Sequence, residues 1–84
     1  MKYYSEVIVT LKNGIRDPQG SVVENILKRM NLDNDAKVTT GKYFTITVNA
    51  KNQDEAKQKV ENVCSEVLVN TVLESYKITK MEQV

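Results

Sequence analysis

Along residues 2–12 apolar and polar positions alternate, with Tyr3, Val7, Val9 and Leu11 on one face and Tyr4 and Ile8 on the other, which predicts a β-strand. From Val22 the period lengthens. Val22, Val23, Ile26, Leu27 and Met30 form one stripe of a helix running from about Pro18 to Met30, and that stripe is expected to pack on the sheet. Two start signals compete at its first turn: Asp17 before Pro18, and a capping box of Ser21 with Glu24. After Asn31 the polar residues 32–35 read as an exposed connection; they lack the glycine and distant glutamate of a calcium loop.

Residues 37–50 read as extended and are rich in β-branched side chains, with Val38, Phe44, Ile46 and Val48 on the even-numbered face. Gly41 interrupts this stretch, leaving either one long bent strand or two short ones; the unbroken parity slightly favours the bent strand. A second helix has the clearest start, Asn52 as cap with Glu55 three residues on, followed by Ala56, Val60, Val63, Cys64, Val67 and Leu68 on one face. The last strand is expected over Val72 to Lys80, with Val72, Tyr76 and Ile78 inward and residues 81–84 frayed.

The order predicts one α+β domain over residues 1–84. It is a two-layer sandwich, β-α-β(β)-α-β, with two helices on one face of a mainly antiparallel sheet, related to the ferredoxin-like fold. Tyr4 and Ile8 on the second face of the first strand are either isolated surface hydrophobes or a sign that this face too is covered.

Length sharpens that question. A chain of 84 residues buries only about 60–65% of its unfolded surface, so the core is thin and self-association into a dimer or tetramer is expected. A lone cysteine and no histidine suit a reducing, cytoplasmic setting and offer no metal-ligand cluster. Twelve basic against eleven acidic residues leave a net charge of +1, too little to point to nucleic acid or an anionic membrane, and no apolar run is long enough to span a bilayer.

Catalytic chemistry is hard to find. Cys64 lies on the apolar stripe of the second helix and reads as a small buried hydrophobe; Asp17 before Pro18 reads as a helix cap rather than a general base. Lys12, Arg16 and Lys42 beside a helix start invite a phosphate reading, but Gly14 and Gly20 are not followed by the lysine and hydroxyl of a P-loop. Neighbouring Tyr43 and Phe44 point to opposite faces, which removes a stacking platform for RNA.

The joint between the first strand and the first helix carries more. Asn13-Gly14 suits a sharp turn, and residues 14–20, GIRDPQG, resemble the G-x-x-DPQG signature of the PurS family. Val9-Thr10-Leu11-Lys12 before it, then Gly41-Lys42-Tyr43, Cys64 and Leu68-Val69-Asn70, are similar to that family in the same order, so the likeness spans nearly the whole chain. Thr71 and Arg16 depart from it, where proline and an apolar residue are common.

The resemblance implies the small subunit of phosphoribosylformylglycinamidine synthase, joining a PurL ligase subunit and a PurQ glutaminase subunit. Their ATP-dependent reaction puts ammonia from glutamine in place of an amide oxygen. It also implies that this chain has no active site and binds no cofactor or metal itself, ATP and Mg being used by the whole complex. Subunit-interface candidates are Lys12, Arg16 and Gln19, polar groups at the turn that no pattern within the chain requires, together with Tyr4 and Ile8. The alternative is a ferredoxin-like regulatory domain binding a small metabolite between subunits, which calorimetry on the isolated protein distinguishes.

Overall fold

The computed structural model describes all residues 1–84. Its strands are β1, Lys2–Leu11, β2, Gly41–Asn49, and β3, Glu74–Gln83; its helices are α1, Pro18–Arg29, and α2, Gln53–Val63, which continues through one π turn, Cys64–Leu68. β1 lies in the middle of the sheet and pairs antiparallel with β2 on one side and β3 on the other.

The centre goes to β1 because its alternation is the cleanest in the chain: Tyr3, Ser5, Val7 and Val9 are all buried on one face. Ser5 is tolerated there because its hydroxyl donates to the Ile46 carbonyl at 2.9 Å, so no buried polar group is orphaned. Phe44, Ile46 and Val48 of β2 and Tyr76, Ile78 and Met81 of β3 flank the buried valines on the same face. α2 lies across them, burying Ala56, Val60 and Cys64, and its start is capped as expected by the Asn52 side chain accepting from Glu55 N at 2.9 Å.

Four local features differ from the sequence expectations, each for a physical reason. β2 begins only at Gly41, because the amides of Val38 and Thr40 are taken by carboxylates of Glu24 and Asp17 instead of a neighbouring strand. Gly41 itself passes so close to β1 that a Cβ there would stand 2.5 Å from the Val9 carbonyl oxygen, and it opens the strand rather than bending it. In α2 the π turn, closed by Val69 N donating to the Cys64 carbonyl at 3.0 Å, inserts an extra residue; Val69 turns inward and Val67 is left 75% exposed. β3 starts after Val72, which is 77% exposed, and runs on to Gln83 without fraying. A bulge opposite Glu6 and Val7 leaves Thr79 unmatched and switches parity, so Met81 faces the core.

The larger correction concerns α1. Its stripe was expected on the sheet, yet α1 makes no extended contact with any other element, and Val22, Val23, Ile26 and Met30 are exposed, Met30 to 63%. The result is a thin plate of 53 × 27 × 14 Å. Its radius of gyration is 16.6 Å, against about 12 Å for a compact chain of this length.

Cys64, fully buried beside Val7, Val9, Val60 and Val69, has its thiol pKa pushed up by burial and by nearby Glu61, as suits a packing residue. Cys64→Ala is therefore expected to lower stability by about 1–2 kcal/mol through a small cavity. Urea unfolding measures it; an unchanged midpoint would mean that the thiol is not part of the packed core.

Candidate subunit interface

The joint between β1 and α1 is built almost wholly from polar bonds. At the end of β1, Lys12 N donates to the Leu73 carbonyl at 2.9 Å, and the chain reverses over Lys12–Ile15, closed by Ile15 N donating to the Lys12 carbonyl at 3.1 Å. Gly14 sits at φ +85°, the left-handed region that a side chain disfavours. Asp17 follows, in extended geometry. One carboxylate oxygen accepts from Gly20 N at 2.9 Å and from the Thr40 hydroxyl at 2.8 Å, while the other accepts from Thr40 N at 2.6 Å.

Asp17 is thus both the cap of α1 and its clasp to the segment entering β2. The Gly20 amide first, then the Thr40 amide and hydroxyl, hold its carboxyl below the usual carboxylate range. One turn on, Glu24 accepts from Val38 N at 2.8 Å. Between them Gly20 is wedged so tightly that a Cβ would lie 2.2 Å from the Val38 carbonyl oxygen. The Asp17 start therefore wins over the Ser21 start, with Glu24 serving residue 38 rather than a capping box.

Two shallow recesses flank the clasp. One, of about 320 Å³, is walled by Val9, Leu11, Pro18 and Gln19 with Lys42 and Glu74 opposite, the last two 3.8 Å apart. The other, of about 390 Å³, lies over Asn13, Gly14, Ile15 and Thr39. Asp17 is paired with Thr40 and Lys42 with Glu74, and no cluster of three metal-ligating side chains converges there or elsewhere.

Lys12, Arg16 and Gln19 all lie at this joint, and all three are exposed. Lys12 also has internal work, which the sequence pattern does not reveal: its Nζ donates to the Thr71 carbonyl at 2.6 Å. Together with the Asn70 side chain, which accepts from Val72 N, and Glu74, which accepts from Asn70 N, it fixes the loop before β3. Thr71, where the family pattern favours proline, is held by these bonds.

Tyr4 and Ile8 lie elsewhere, on the sheet face opposite α2. Tyr4 donates its hydroxyl to Glu6 at 2.7 Å; this bond is the main cause that lowers the Glu6 pKa, and it raises that of Tyr4. Ile8 stands opposite Tyr43 on β2 and Lys77 on β3. The candidates thus fall into two groups, one at the joint and one on the open sheet face. The α1 stripe is a third, apolar group; its periodicity predicts burial on the sheet, yet Val22, Val23, Ile26 and Met30 are exposed.

Three comparisons bear on what this arrangement is for. The family model described as PurS: Phosphoribosylformylglycinamidine (FGAM) synthase matches residues 4–82. Phosphoribosylformylglycinamidine synthase subunit PurS from Synechocystis sp. is 34% identical over 82 residues, covering 95% of this chain and 82% of that one. Among solved structures, Thermus thermophilus PurS is 32% identical with a TM-score of 0.84, covering 100% of this chain and 99% of that one. A chain in the structure of PurLQS from Thermotoga maritima is 29% identical with a TM-score of 0.79 and covers both chains completely.

Because Asp17 is the main hold on α1, Asp17→Ala is expected to lower the melting temperature by several degrees, and Asp17→Asn, which keeps one acceptor, by less. Its folded pKa is depressed. The stabilisation is therefore present above the unfolded carboxylate pKa and is lost as pH falls through the folded one. Thermal melts from neutral to acid pH test this; an acid limb as steep in Asp17→Asn as in the parent would exclude the clasp as its source.

Proposed function

The chain belongs to the PurS family, and from that premise we propose that it is the small, non-catalytic subunit of phosphoribosylformylglycinamidine synthase. In this role it holds together the PurL ligase and PurQ glutaminase subunits that carry out the ATP-dependent step of purine biosynthesis in the cytoplasm. The observation that carries the reading is the end-to-end superposition on a chain of the Thermotoga maritima PurLQS structure.

The physical character of the chain supports a binding role. Its polar groups are spent on bonds that fix backbone paths, as at Asp17, Glu24, Asn52 and Asn70, and its one thiol is buried with a raised pKa. Its surface, in contrast, exposes a row of apolar side chains on α1, Val22, Val23, Ile26 and Met30. ATP and Mg are used by the complex and are not held by this chain.

The proposal includes self-association. The α1 stripe and the two long edge strands β2 and β3 are open, and a plate with so large a radius of gyration buries little by itself. A dimer or tetramer covers the stripe, leaving Arg16 and Gln19 at the joint, and Tyr4 and Ile8 on the outer sheet face, as the surfaces for the larger subunits.

Glutamine-dependent synthase activity, assayed with purified ligase and glutaminase, is expected to require added chain; equal activity without it would overturn the proposal. Arg16→Glu combined with Gln19→Ala is expected to shift stability by less than about 0.5 kcal/mol while weakening assembly in a titration. Unaltered affinity would move the contact away from the joint. Sedimentation of the isolated chain is expected to show a dimer or tetramer, weakened in Ile26→Glu, which puts a carboxylate on the stripe that association would bury. A folded monomer at micromolar concentration would refute self-association.

A further inference from the structure

Eight asparagines are spread along the chain, and Asn13 alone is followed by glycine. Several others are occupied: Asn52 and Asn70 accept from backbone amides, Asn62 accepts from Gln58, Asn25 lies within α1 and Asn49 within β2. Asn13 has no such bond. It is exposed, as are Lys12, Gly14, Ile15 and Arg16 around it, and Gly14 N donates to no group of the protein.

We propose that Asn13-Gly14 is a self-modifying site, at which the side-chain amide is converted through a succinimide to aspartate and isoaspartate. The Gly14 backbone nitrogen bonds to the Asn13 side-chain carbonyl carbon, its proton passes to the departing nitrogen, and ammonia leaves. Water then opens the ring at either carbonyl, giving aspartate when the original peptide link is kept and isoaspartate when the chain runs through the side-chain carbon. No enzyme, oxidant or cofactor is needed, and water is the only co-reactant.

Two local features favour the reaction, and the one that opposes it is weak. Glycine puts no side chain in the path of the attacking nitrogen. That nitrogen is not held by an acceptor in the protein. Gly14 has positive φ and Asn13 does not, as in a type II turn, so reaching the ring geometry requires the turn to open; only the exposed 3.1 Å bond from Ile15 N to Lys12 O closes it. Either product places a new negative charge between Lys12 and Arg16, and isoaspartate adds a backbone carbon to the turn that leads to the Asp17 clasp. The effect on assembly rests on the proposed interface at this joint; the chemistry at Asn13 does not.

Peptide mapping by mass spectrometry after incubation of the full-length chain at neutral and mildly alkaline pH tests the site. Asn13 is expected to convert faster than any other asparagine by about an order of magnitude, since its successor alone lacks a side chain. The rate should rise with pH, because the attacking nitrogen reacts once deprotonated, and Asn13→Gln, whose ring would be larger, should abolish the product at this position. Asn13 converting no faster than Asn34 or Asn70 would overturn the proposal. A parallel incubation in the ligase and glutaminase complex separates the two readings. Conversion slowed only in the complex supports the joint as an interface, whereas equal rates would overturn that interface and leave the modification standing.

Discussion

The carboxylate of Asp17 is the interaction on which the shape of this protein depends. Three groups reach it at 2.6–2.9 Å, and through them the cap of α1, the path of residues 38–40 and the entry to β2 become one structure. Charge-assisted hydrogen bonds of this kind are roughly twice as strong as neutral ones, and here they replace the hydrophobic packing that usually fixes a helix. α1 has little else to hold it. Glu24 adds one more bond, and Gly20 allows the approach because any side chain would collide with the Val38 carbonyl.

A helix held at one end by polar bonds, with its apolar side open, is a poor design for a free monomer and a reasonable one for a subunit. Only 10 of 84 residues are buried, so the chain's own core supplies a small part of the apolar burial that its sequence could make. The remainder lies on α1 and along the edges of the plate. Exposed to water it is a liability, and covered by protein it becomes the source of association free energy.

Most of the secondary structure is legible in the sequence, because strands and helices announce themselves by period. β1, α2 and the even face of β2 follow from alternation and capping alone, and Asp17-Pro18 correctly marks where α1 begins. What is not legible depends on partners distant along the chain. No local pattern reveals that Thr40 and Val38 would give their amides to α1, that Lys12 would reach the Thr71 carbonyl, or that a π turn at Cys64 would expose Val67 and bury Val69. The bulge opposite Glu6 and Val7 is equally silent, because skipping one residue of β3 leaves both strands with ordinary composition.

The turn candidates and the helix stripe differ in what the sequence displays, and the asymmetry has one cause. Polar residues in an ordered turn that cap nothing stand out against the background of structural need, as Arg16 and Gln19 do. Apolar residues at helical spacing satisfy a structural need by default, so Val22, Val23, Ile26 and Met30 read as core in the sequence although the fold leaves them exposed. Periodicity establishes that a face wants burial, and only the three-dimensional path of the chain decides whether the burying surface is its own. Here the path runs away from the sheet, because the six residues between β1 and α1 end in a clasp to the segment before β2 rather than in contact with the sheet face. The same clasp that makes α1 unavailable to its own sheet leaves its apolar stripe facing outward in a fixed direction.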